Sequence, residues 1–411
     1  YNYGGLTKYM IAEVSKDYWL REVYPEHIAG AYVDGDIHLH DLGGLTLYCT
    51  GYSLKDILYK GVRGVANIPT SAPAKHFDSI LNQCSNLITV FQNEIMGAVA
   101  FNGFDTLLAP FIKQDKLSYD EVKQSMQNFI FSVNSNSRGG AEPAFFNLTF
   151  DLTPPEDMVN EYCVIGGKRV SFTYGSCQQE MDLLNRVFYE IMLAGDADGK
   201  LFSYPIPTYN IHSRFDWDNP NNELLWEMAG KYGTPYFANF INSELDITDV
   251  RSMCCRLRLD LTELRHRNGG LFGAGDSTGS IGVVTINLPR IGYLTKGNKE
   301  AFYARLDEML NIAKESLEIK REWLQTNVLD NNLIPAYMEY VGTINNHFNT
   351  IGIVGMNEMC ENFMGKNILD PEAHEFCLEV GEHIRQKLLE FQEETGHLFN
   401  YEATPAESTC Y

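Results

Sequence analysis

Short apolar runs bounded by glycine or polar turns alternate with long amphipathic segments along most of this sequence. The run IGVVTINLP (281–289) is typical of a buried strand, and the polar loop NSNSRGG (134–140) leads into a second strand. Long helices are predicted at residues 75–98, 119–134, 301–328 and 371–395. Because short strands alternate with long helices, the sequence predicts an α/β fold with a barrel-like sheet.

Two of these helices carry apolar residues at spacings of three and four. In the segment 75–98 they are Phe77, Ile80, Leu81, Cys84, Leu87, Ile88, Phe91 and Ile95. In the segment 119–134 they are Tyr119, Val122, Met126, Phe129, Ile130 and Val133. A helical hairpin of this kind needs a partner surface, which is either the core of the chain or a second subunit.

The remaining segments give shorter elements. The opening stretch to about Ala31 predicts a helix and a turn, LTLYC (45–49) a strand, and Gly166-Gly167 the turn of a small hairpin within a loop-like segment. Further helices are predicted near 180–195 and 221–230. IGIVGMNEMC (351–360) is interpreted as a strand, and the last residues, from Asn400, as a polar turn.

Composition limits the function classes. A hydrophobic content of 44 % over 411 residues supports a large core, whereas a net charge of −22 argues against nucleic acid as a partner. A single nucleotide is still compatible, because a few local donors can hold its phosphates. There is no apolar run of about 18 residues that predicts a membrane span. Nine scattered cysteines without paired CxxC motifs indicate a reducing cytoplasm.

Four segments form a distinctive set: IHLHDLGGLTLYC (37–49), SMCCRLRLDL (252–261), GLFGAGDSTGSIGVVTINLPRIGYL (270–294) and EATPAEST (402–409). Together they resemble the anaerobic (class III) ribonucleotide reductases, a family of glycyl radical enzymes. The resemblance implies a ten-stranded α/β barrel, formed by residues 1–411 as one domain, with a finger loop threaded through its centre. It implies reduction of ribonucleoside triphosphates by a thiyl radical.

The resemblance assigns roles to three cysteines. Cys255, which stands immediately before an arginine, is the expected thiyl residue at the finger tip, and Cys254 is its close rival. Cys49 matches the cysteine on the first barrel strand that donates to the leaving hydroxyl. From the residues alone, Cys254 and Cys255 are equally well explained as buried structural thiols, and Cys49 is better explained as a cysteine in a strand core.

Ser280 stands where some members of the family carry an asparagine near the ribose, and a serine there favours formate as the reductant. The segment 404–409 resembles the family's substrate phosphate loop, although TPAES is also an ordinary helix N-cap. The expected phosphate contacts are Thr404, Ala406, Glu407, Ser408 and Thr409. A second candidate nucleotide loop consists of Ser137, Arg138, Gly139 and Gly140, where the guanidinium group could meet phosphate.

His38 and His40 would lie on one face of a strand, with Asp41 in the turn that follows. Such a group can suggest a metal site. The family uses no metal here, so we interpret these residues as structural or close to the substrate.

The resemblance also implies partners. They are ATP and deoxynucleotide effectors, a radical S-adenosylmethionine iron–sulfur activase and a second subunit in a homodimer. An N-terminal ATP-cone and a C-terminal region with the glycyl radical and zinc ligands are expected outside these 411 residues. The alternatives are another glycyl radical enzyme, of the formate-lyase or dehydratase type, and a regulatory nucleotide-binding protein on a decayed barrel. Ligand choice, nucleotides against pyruvate or glycerol, discriminates among them.

Overall fold

A computed structural model describes residues 2–63, 68–241 and 278–404 of the chain. Its strands are β1 Ile37–Leu39, β2 Cys49–Tyr52, β3 Val99–Phe101, β4 Phe146–Phe150, β5 Tyr162–Ile165, β6 Lys168–Thr173, β7 Ile206–Ile211, β8 Tyr236–Asn239, β9 Gly279–Asn287, β10 His347–Val354 and β11 Leu398–Ala403. Its helices are α1 Tyr3–Tyr18, α2 Glu26–Val33, α3 Leu54–Lys60, α4 Phe77–Glu94, α5 Phe104–Asp115, α6 Tyr119–Val133, α7 Gln178–Ala194, α8 Asn222–Tyr232, α9 Leu288–Thr295, α10 Lys299–Leu324, α11 Pro335–Tyr340, α12 Met356–Met364 and α13 Pro371–Thr395.

The chain divides into two units. Unit 1 comprises Tyr1–Lys8, Cys49–Thr278 and Asn332–Thr343, and unit 2 comprises Tyr9–Tyr48, Gly279–Asn331 and Ile344–Tyr411. Each unit contains parallel strands and the helices that pack on them, so the predicted α/β class is confirmed. The assignment of residues 1–411 to one domain stays a prediction.

Unit 1 is built on five parallel strands in the order β2-β3-β4-β7-β8. All five residues of β4 are buried, as expected for a strand in a parallel sheet that is covered on both faces. The predicted small hairpin is confirmed as β5 and β6, because Gly166 and Gly167 adopt φ angles of 61° and 75° that a tight hairpin turn requires.

The two helices predicted from apolar spacing are confirmed in unit 1 as α4 and α6. Every predicted core residue of α6 except Tyr119 is buried. Its first turn is fixed by a capping box, in which Ser118 accepts from the backbone of Glu121 and the Glu121 carboxylate accepts from the backbone of Ser118. Ser85 of α4 and Ser132 of α6 are hydrogen-bonded at 2.9 Å, so the hairpin packs helix against helix.

Unit 2 contains the parallel strands β11-β10-β9, with β1 antiparallel to β9. One face of this sheet is apolar and packs against helices α10 and α13. Its buried residues include Val284, Ile286, Ile351, Ile353 and Phe399. The opposite face is the subject of the next subsection.

Three sequence predictions differ from the structure. The strand predicted over residues 45–49 begins only at Cys49. The strand predicted over residues 351–360 ends at Val354. Gly355, with a φ of 73°, is the N-cap of helix α12, which buries Met359, Cys360 and Phe363. The segment after Asn400, interpreted as a polar turn, continues strand β11 to Ala403, because its backbone pairs with β10.

Candidate active site

The face of the unit 2 sheet opposite the apolar core carries a row of polar side chains, which we call the polar face. Ser280 on β9, Thr350 on β10 and Asn400 on β11 form one group across three strands. Thr350 is paired with Asn400, whereas the strand partner of Ser280 is Phe348, two residues before Thr350. The Ser280 and Thr350 hydroxyl oxygens are 2.9 Å apart, and Thr350 donates to Asn400 Oδ1 at 2.8 Å. All three residues are at least nine-tenths buried.

The direction of these bonds determines which further hydrogen bonds the Ser280 hydroxyl can form. Because Thr350 uses its hydrogen on Asn400 Oδ1, an acceptor, the Ser280 hydroxyl donates either to Thr350 or to the carbonyl of Gly282 at 3.0 Å. The lone pairs of Ser280 remain able to accept a hydrogen bond from a ribose hydroxyl.

A second chain of hydrogen bonds follows along the polar face. His40 Nε2 lies 2.7 Å from the Thr285 hydroxyl oxygen, which lies 2.8 Å from the hydroxyl oxygen of Thr404. Gly352 follows Thr350 by two residues on β10, and its strand partner on β9 is Thr285. A Cβ atom at Gly352 would collide with the Thr404 hydroxyl, so the close approach of these residues requires glycine.

The two histidines of the IHLHD segment are both shifted towards the neutral form. Burial lowers the pKa of His40 to about 4, with smaller contributions from the His38 and Lys320 charges. The pKa of His38 is lowered by burial, against an opposing effect of Asp41. Their rings meet edge to face with centroids 4.6 Å apart. Across residues 2–63, 68–241 and 278–404, no three His, Cys, Asp or Glu side chains are grouped to hold a metal ion.

Cys49 and the candidate nucleotide loop both belong to unit 1. Cys49 is the first residue of β2 and is fully buried. In the loop, the backbone amides of Ser137 and Arg138 donate to the carbonyl of Glu142, and Gln92 donates to Ser137 Oγ at 2.6 Å. Gly139 and Gly140 have φ angles of 59° and 71°, which explains the glycine pair.

The start of helix α1 holds this loop. Asn2 donates to the carbonyl of Gly140 at 2.9 Å, and Lys8 forms an ion pair with Glu142 at 2.6 Å. The Arg138 guanidinium lies 4.0 Å from the same Glu142 carboxylate, which is therefore engaged mainly by Lys8. The Arg138 side chain itself is 13 % exposed.

Unit 1 also contains a buried acidic cluster, which we call the Asp105 cluster, where its parallel strands end. The Asp105 carboxylate accepts from the backbone amides of Thr106, Asp151 and Leu152 and from the Asn185 side chain, at 2.8 to 3.0 Å. Asp151 accepts from the Thr106 hydroxyl at 2.6 Å and from the Asn210 amide at 2.8 Å. Burial and the nearby Asp151 charge raise the pKa of Asp105 to about 6.

An open pocket adjoins the Asp105 cluster at the carboxyl ends of β2, β3, β4 and β7. Its volume, which includes space open to solvent, is about 460 Å³, and its lining includes Lys55, Asn102, Asp151, Met158 and Asn210. Sequence reasoning missed both this pocket and the cluster, because the residues that form them are distant in the chain.

The structure therefore places the predicted site residues as follows. Ser280 and Thr404 are brought to one face of one sheet. Cys49, Ser137, Arg138, Gly139 and Gly140 lie in unit 1. Cys254, Cys255, Ala406, Glu407, Ser408 and Thr409 lie outside the described residues. Sequence reasoning missed Thr285, Thr350 and Asn400, although single polar residues inside otherwise apolar strands were a usable signal.

Solved structures share the fold of this chain. The anaerobic ribonucleotide reductase from Thermotoga maritima in complex with dATP and CTP matches 98 % of this chain with a TM-score of 0.74 and 22 % identity, over 68 % of its own chain. The same protein with glycerol in the active site gives a TM-score of 0.74 and 22 % identity, covering 98 % of this chain and 67 % of that chain.

The sequence model of the family described as anaerobic ribonucleoside-triphosphate reductase matches residues 1–411, and the chain therefore belongs to this family. The resemblance seen in the sequence is confirmed. Curated relatives of the same name include the Escherichia coli protein, 25 % identical over 97 % of this chain, and the enterobacteria phage T4 protein, 22 % identical over 98 %. The chain spans 58 % of the length of the first and 69 % of the second. In the described part of the chain, no helix has the length and apolar character to cross a membrane.

Proposed function

We propose that this chain is the catalytic barrel of an enzyme that reduces ribonucleoside triphosphates to 2′-deoxyribonucleoside triphosphates under anaerobic conditions. The observation that carries the proposal is the family match over the whole chain. The common face of Ser280 and Thr404 supports it, because the ribose and the phosphates of one nucleotide need polar partners on the same side of a sheet. A ten-stranded barrel with a finger loop completes the proposed fold.

The cysteines have different roles in the proposed reaction. The thiyl radical forms on Cys255, with Cys254 as the alternative, and abstracts the 3′ hydrogen of the ribose. Cys49 supplies the proton with which the 2′ hydroxyl leaves as water. Formate is the proposed reductant: it loses two electrons and leaves as carbon dioxide, so that ribonucleotide, formate and one proton give deoxynucleotide, carbon dioxide and water. Ser280 accepts a hydrogen bond at the ribose, consistent with its free lone pairs.

The triphosphate is assigned to Thr404, Ala406, Glu407, Ser408 and Thr409, where small residues allow backbone amides to approach phosphate oxygens. The loop Ser137–Gly140 contacts the base or ribose of a nucleotide. Its paired glycines and the positive charge of the Arg138 guanidinium support this assignment.

The proposal includes partners outside these residues. A glycyl radical on a C-terminal segment, generated by a radical S-adenosylmethionine iron–sulfur activase, provides the oxidation that forms the thiyl. Zinc belongs to the same C-terminal region, and an ATP-cone precedes the barrel. ATP and deoxynucleotide effectors regulate a cytoplasmic homodimer, with α4 and α6 at its interface. The Thermotoga maritima relative in complex with dATP and CTP, and with dATP bound in the specificity site, supports nucleotide binding.

The binding part of the proposal is tested by thermal stabilisation. Ligands that bind the folded state raise the unfolding midpoint by mass action. We expect ribonucleoside triphosphates and deoxynucleoside triphosphates to raise the midpoint, and a matched pair of them to raise it further. A rise with pyruvate or glycerol, and none with nucleotides, would instead indicate a glycyl radical enzyme of the formate-lyase or dehydratase type.

The catalytic part is tested in the full-length protein after activation. Cys49→Ser and Cys255→Ser should each reduce deoxynucleotide formation roughly 10³-fold or more, because each removes a group that the reaction uses directly. Cys84→Ser, the same change at a buried cysteine of α4, should leave the rate within a small factor of the parent. Parent-like turnover in both test variants would exclude the assigned chemistry.

A further inference from the structure

Hydrogen bonds hold the IHLHD segment against strand β9, and the proposed reaction gives its histidines no role. Strand β1 is antiparallel to β9, with His38 opposite Thr285. The backbone amide of His40 donates to the carbonyl of Val283 at 3.0 Å. This bond fixes the backbone from which the His40 ring extends towards Thr285. Its side chain then reaches the Thr285 hydroxyl at 2.7 Å.

Thr404 is fixed at two points at the other end of this chain of hydrogen bonds. Its backbone amide donates to the carbonyl of Ile353 on β10 at 3.0 Å, and its hydroxyl meets that of Thr285 at 2.8 Å. Gly352 leaves room for this hydroxyl, which a side chain at that position would displace. Thr285 itself is 5 % exposed, so water does not readily replace it as the partner of either neighbour.

Three groups joined by two hydrogen bonds allow two arrangements of their hydrogens. If His40 carries its hydrogen on Nε2, it donates to Thr285, Thr285 donates to Thr404, and the hydrogen of the Thr404 hydroxyl points to a fourth group. If His40 carries its hydrogen on Nδ1, every donor is reversed and Thr404 donates inward to Thr285. The lowered pKa of His40 makes both tautomers of the neutral ring relevant at neutral pH.

We propose that His40 is a positioning residue, which through Thr285 sets the Thr404 hydroxyl as a hydrogen-bond donor to a phosphate oxygen of the substrate. A phosphate group offers acceptors only, so its presence selects the arrangement with hydrogen on His40 Nε2. The inference rests on the proposed function, since it assumes that a nucleoside triphosphate reaches Thr404.

The test uses CTP, cytidine and inorganic tripolyphosphate as probes, with affinities measured by calorimetry on the full-length protein. Thr285→Val and His40→Leu should weaken CTP and tripolyphosphate about tenfold, the effect of losing one hydrogen bond to a charged group, and leave cytidine unchanged. Thr285→Ser keeps the hydroxyl and His40→Gln keeps a donor near Nε2, so both should return the CTP affinity to within about threefold of the parent.

A matched control is Thr295→Val, which removes a hydroxyl that, within the described part of the chain, bonds only to the Ile291 carbonyl of α9. It should bind all three probes like the parent. If a variant merely loosened the fold, cytidine and CTP would weaken together, and that result would overturn the inference.

The outcomes separate this inference from the proposed function. If Thr404→Val weakens CTP binding but Thr285→Val and His40→Leu do not, the phosphate assignment stands and the role of His40 is wrong. If Thr404→Val also binds CTP like the parent, Thr404 does not contact phosphate and the inference fails. If the parent protein binds neither CTP nor tripolyphosphate, the proposed function fails, and the inference fails with it.

Discussion

The Asp105 cluster of unit 1 and the polar face of unit 2 are both buried polar groups on parallel sheets, but their hydrogen bonds are organised differently. Each oxygen of Asp105 and of Asp151 accepts from at least one donor inside the cluster. The polar face consists of neutral hydroxyls, amides and a histidine, in which Ser280 retains lone pairs and Thr404 can offer a hydrogen. A closed network anchors the fold, whereas an open one can receive a ligand.

The largest effect on stability should come from breaking the closed network. Asp105→Ala removes the acceptor of three backbone amides and of the Asn185 side chain, so we expect a loss of about 4 kcal/mol in the free energy of unfolding. Urea denaturation measures it. Glu156→Ala, at an exposed position, should change the value by less than about 0.5 kcal/mol. If Asp105→Ala lowered the free energy of unfolding by less than about 1 kcal/mol, the Asp105 cluster would not anchor the fold.

The same cluster predicts a pH dependence. The folded pKa of Asp105 is raised to about 6, above an unfolded value of about 3.9. The folded state therefore binds the proton more tightly, so the stabilisation is complete below about pH 4 and is lost as pH rises to about 6. Relative to Asp105→Asn, the parent should lose about 2 kcal/mol over this window in urea denaturation. If the difference in unfolding free energy between the parent and Asp105→Asn stayed constant from pH 4 to 7, the raised pKa of Asp105 would be contradicted.

Breaking the open network should cost less stability than breaking the closed one. Thr350→Val removes a hydroxyl of nearly the same shape between Ser280 and Asn400, and we expect a loss of about 1 kcal/mol. The turnover of the full-length enzyme should fall more than this loss explains, because Ser280 is no longer oriented. Thr350→Ser, which keeps the hydroxyl, is the control. An equal loss in Thr350→Val and Asp105→Ala would erase the distinction between the two networks.

The smallest effect should come from the ion pair at the surface. Lys8 and Glu142 have side chains that are 33 % and 55 % exposed, so their coupling energy should be about 0.5 kcal/mol and should decrease in 1 M salt. A double-mutant cycle with Lys8→Met and Glu142→Gln measures it. Coupling above about 2 kcal/mol would show that this pair belongs with the buried networks.

Local sequence patterns predicted helices and strands well where apolar residues recur on one face of the element or run without interruption. The apolar spacing of α4 and α6 and the uninterrupted run of β9 are properties of neighbouring residues, and the structure confirms them. The strand predicted to continue past Gly355 was wrong, because a run of residues such as MNEMC is compatible with either a strand or a helix until its neighbours are known.

The candidate site was predicted in part. Ser280 and Thr404 were selected by family resemblance, but their position on the polar face, and the roles of Thr285 and Thr350 there, depend on strand register. Gly352 shows the difference clearly: in the sequence it is one glycine in a strand, and only the approach of Thr404 explains why no side chain fits.

The sequence by itself determined the α/β class, most of the helices and the family, because these depend on periodicity and on motifs contained in short segments. Only the tertiary structure decided which polar residues meet. Asp105 and Asp151 are 46 residues apart, and Thr285 and Thr404 are 119 apart. Such contacts are set by the pairing of strands and the packing of helices on them, and no local pattern encodes the distance between two side chains that the chain brings together from so far.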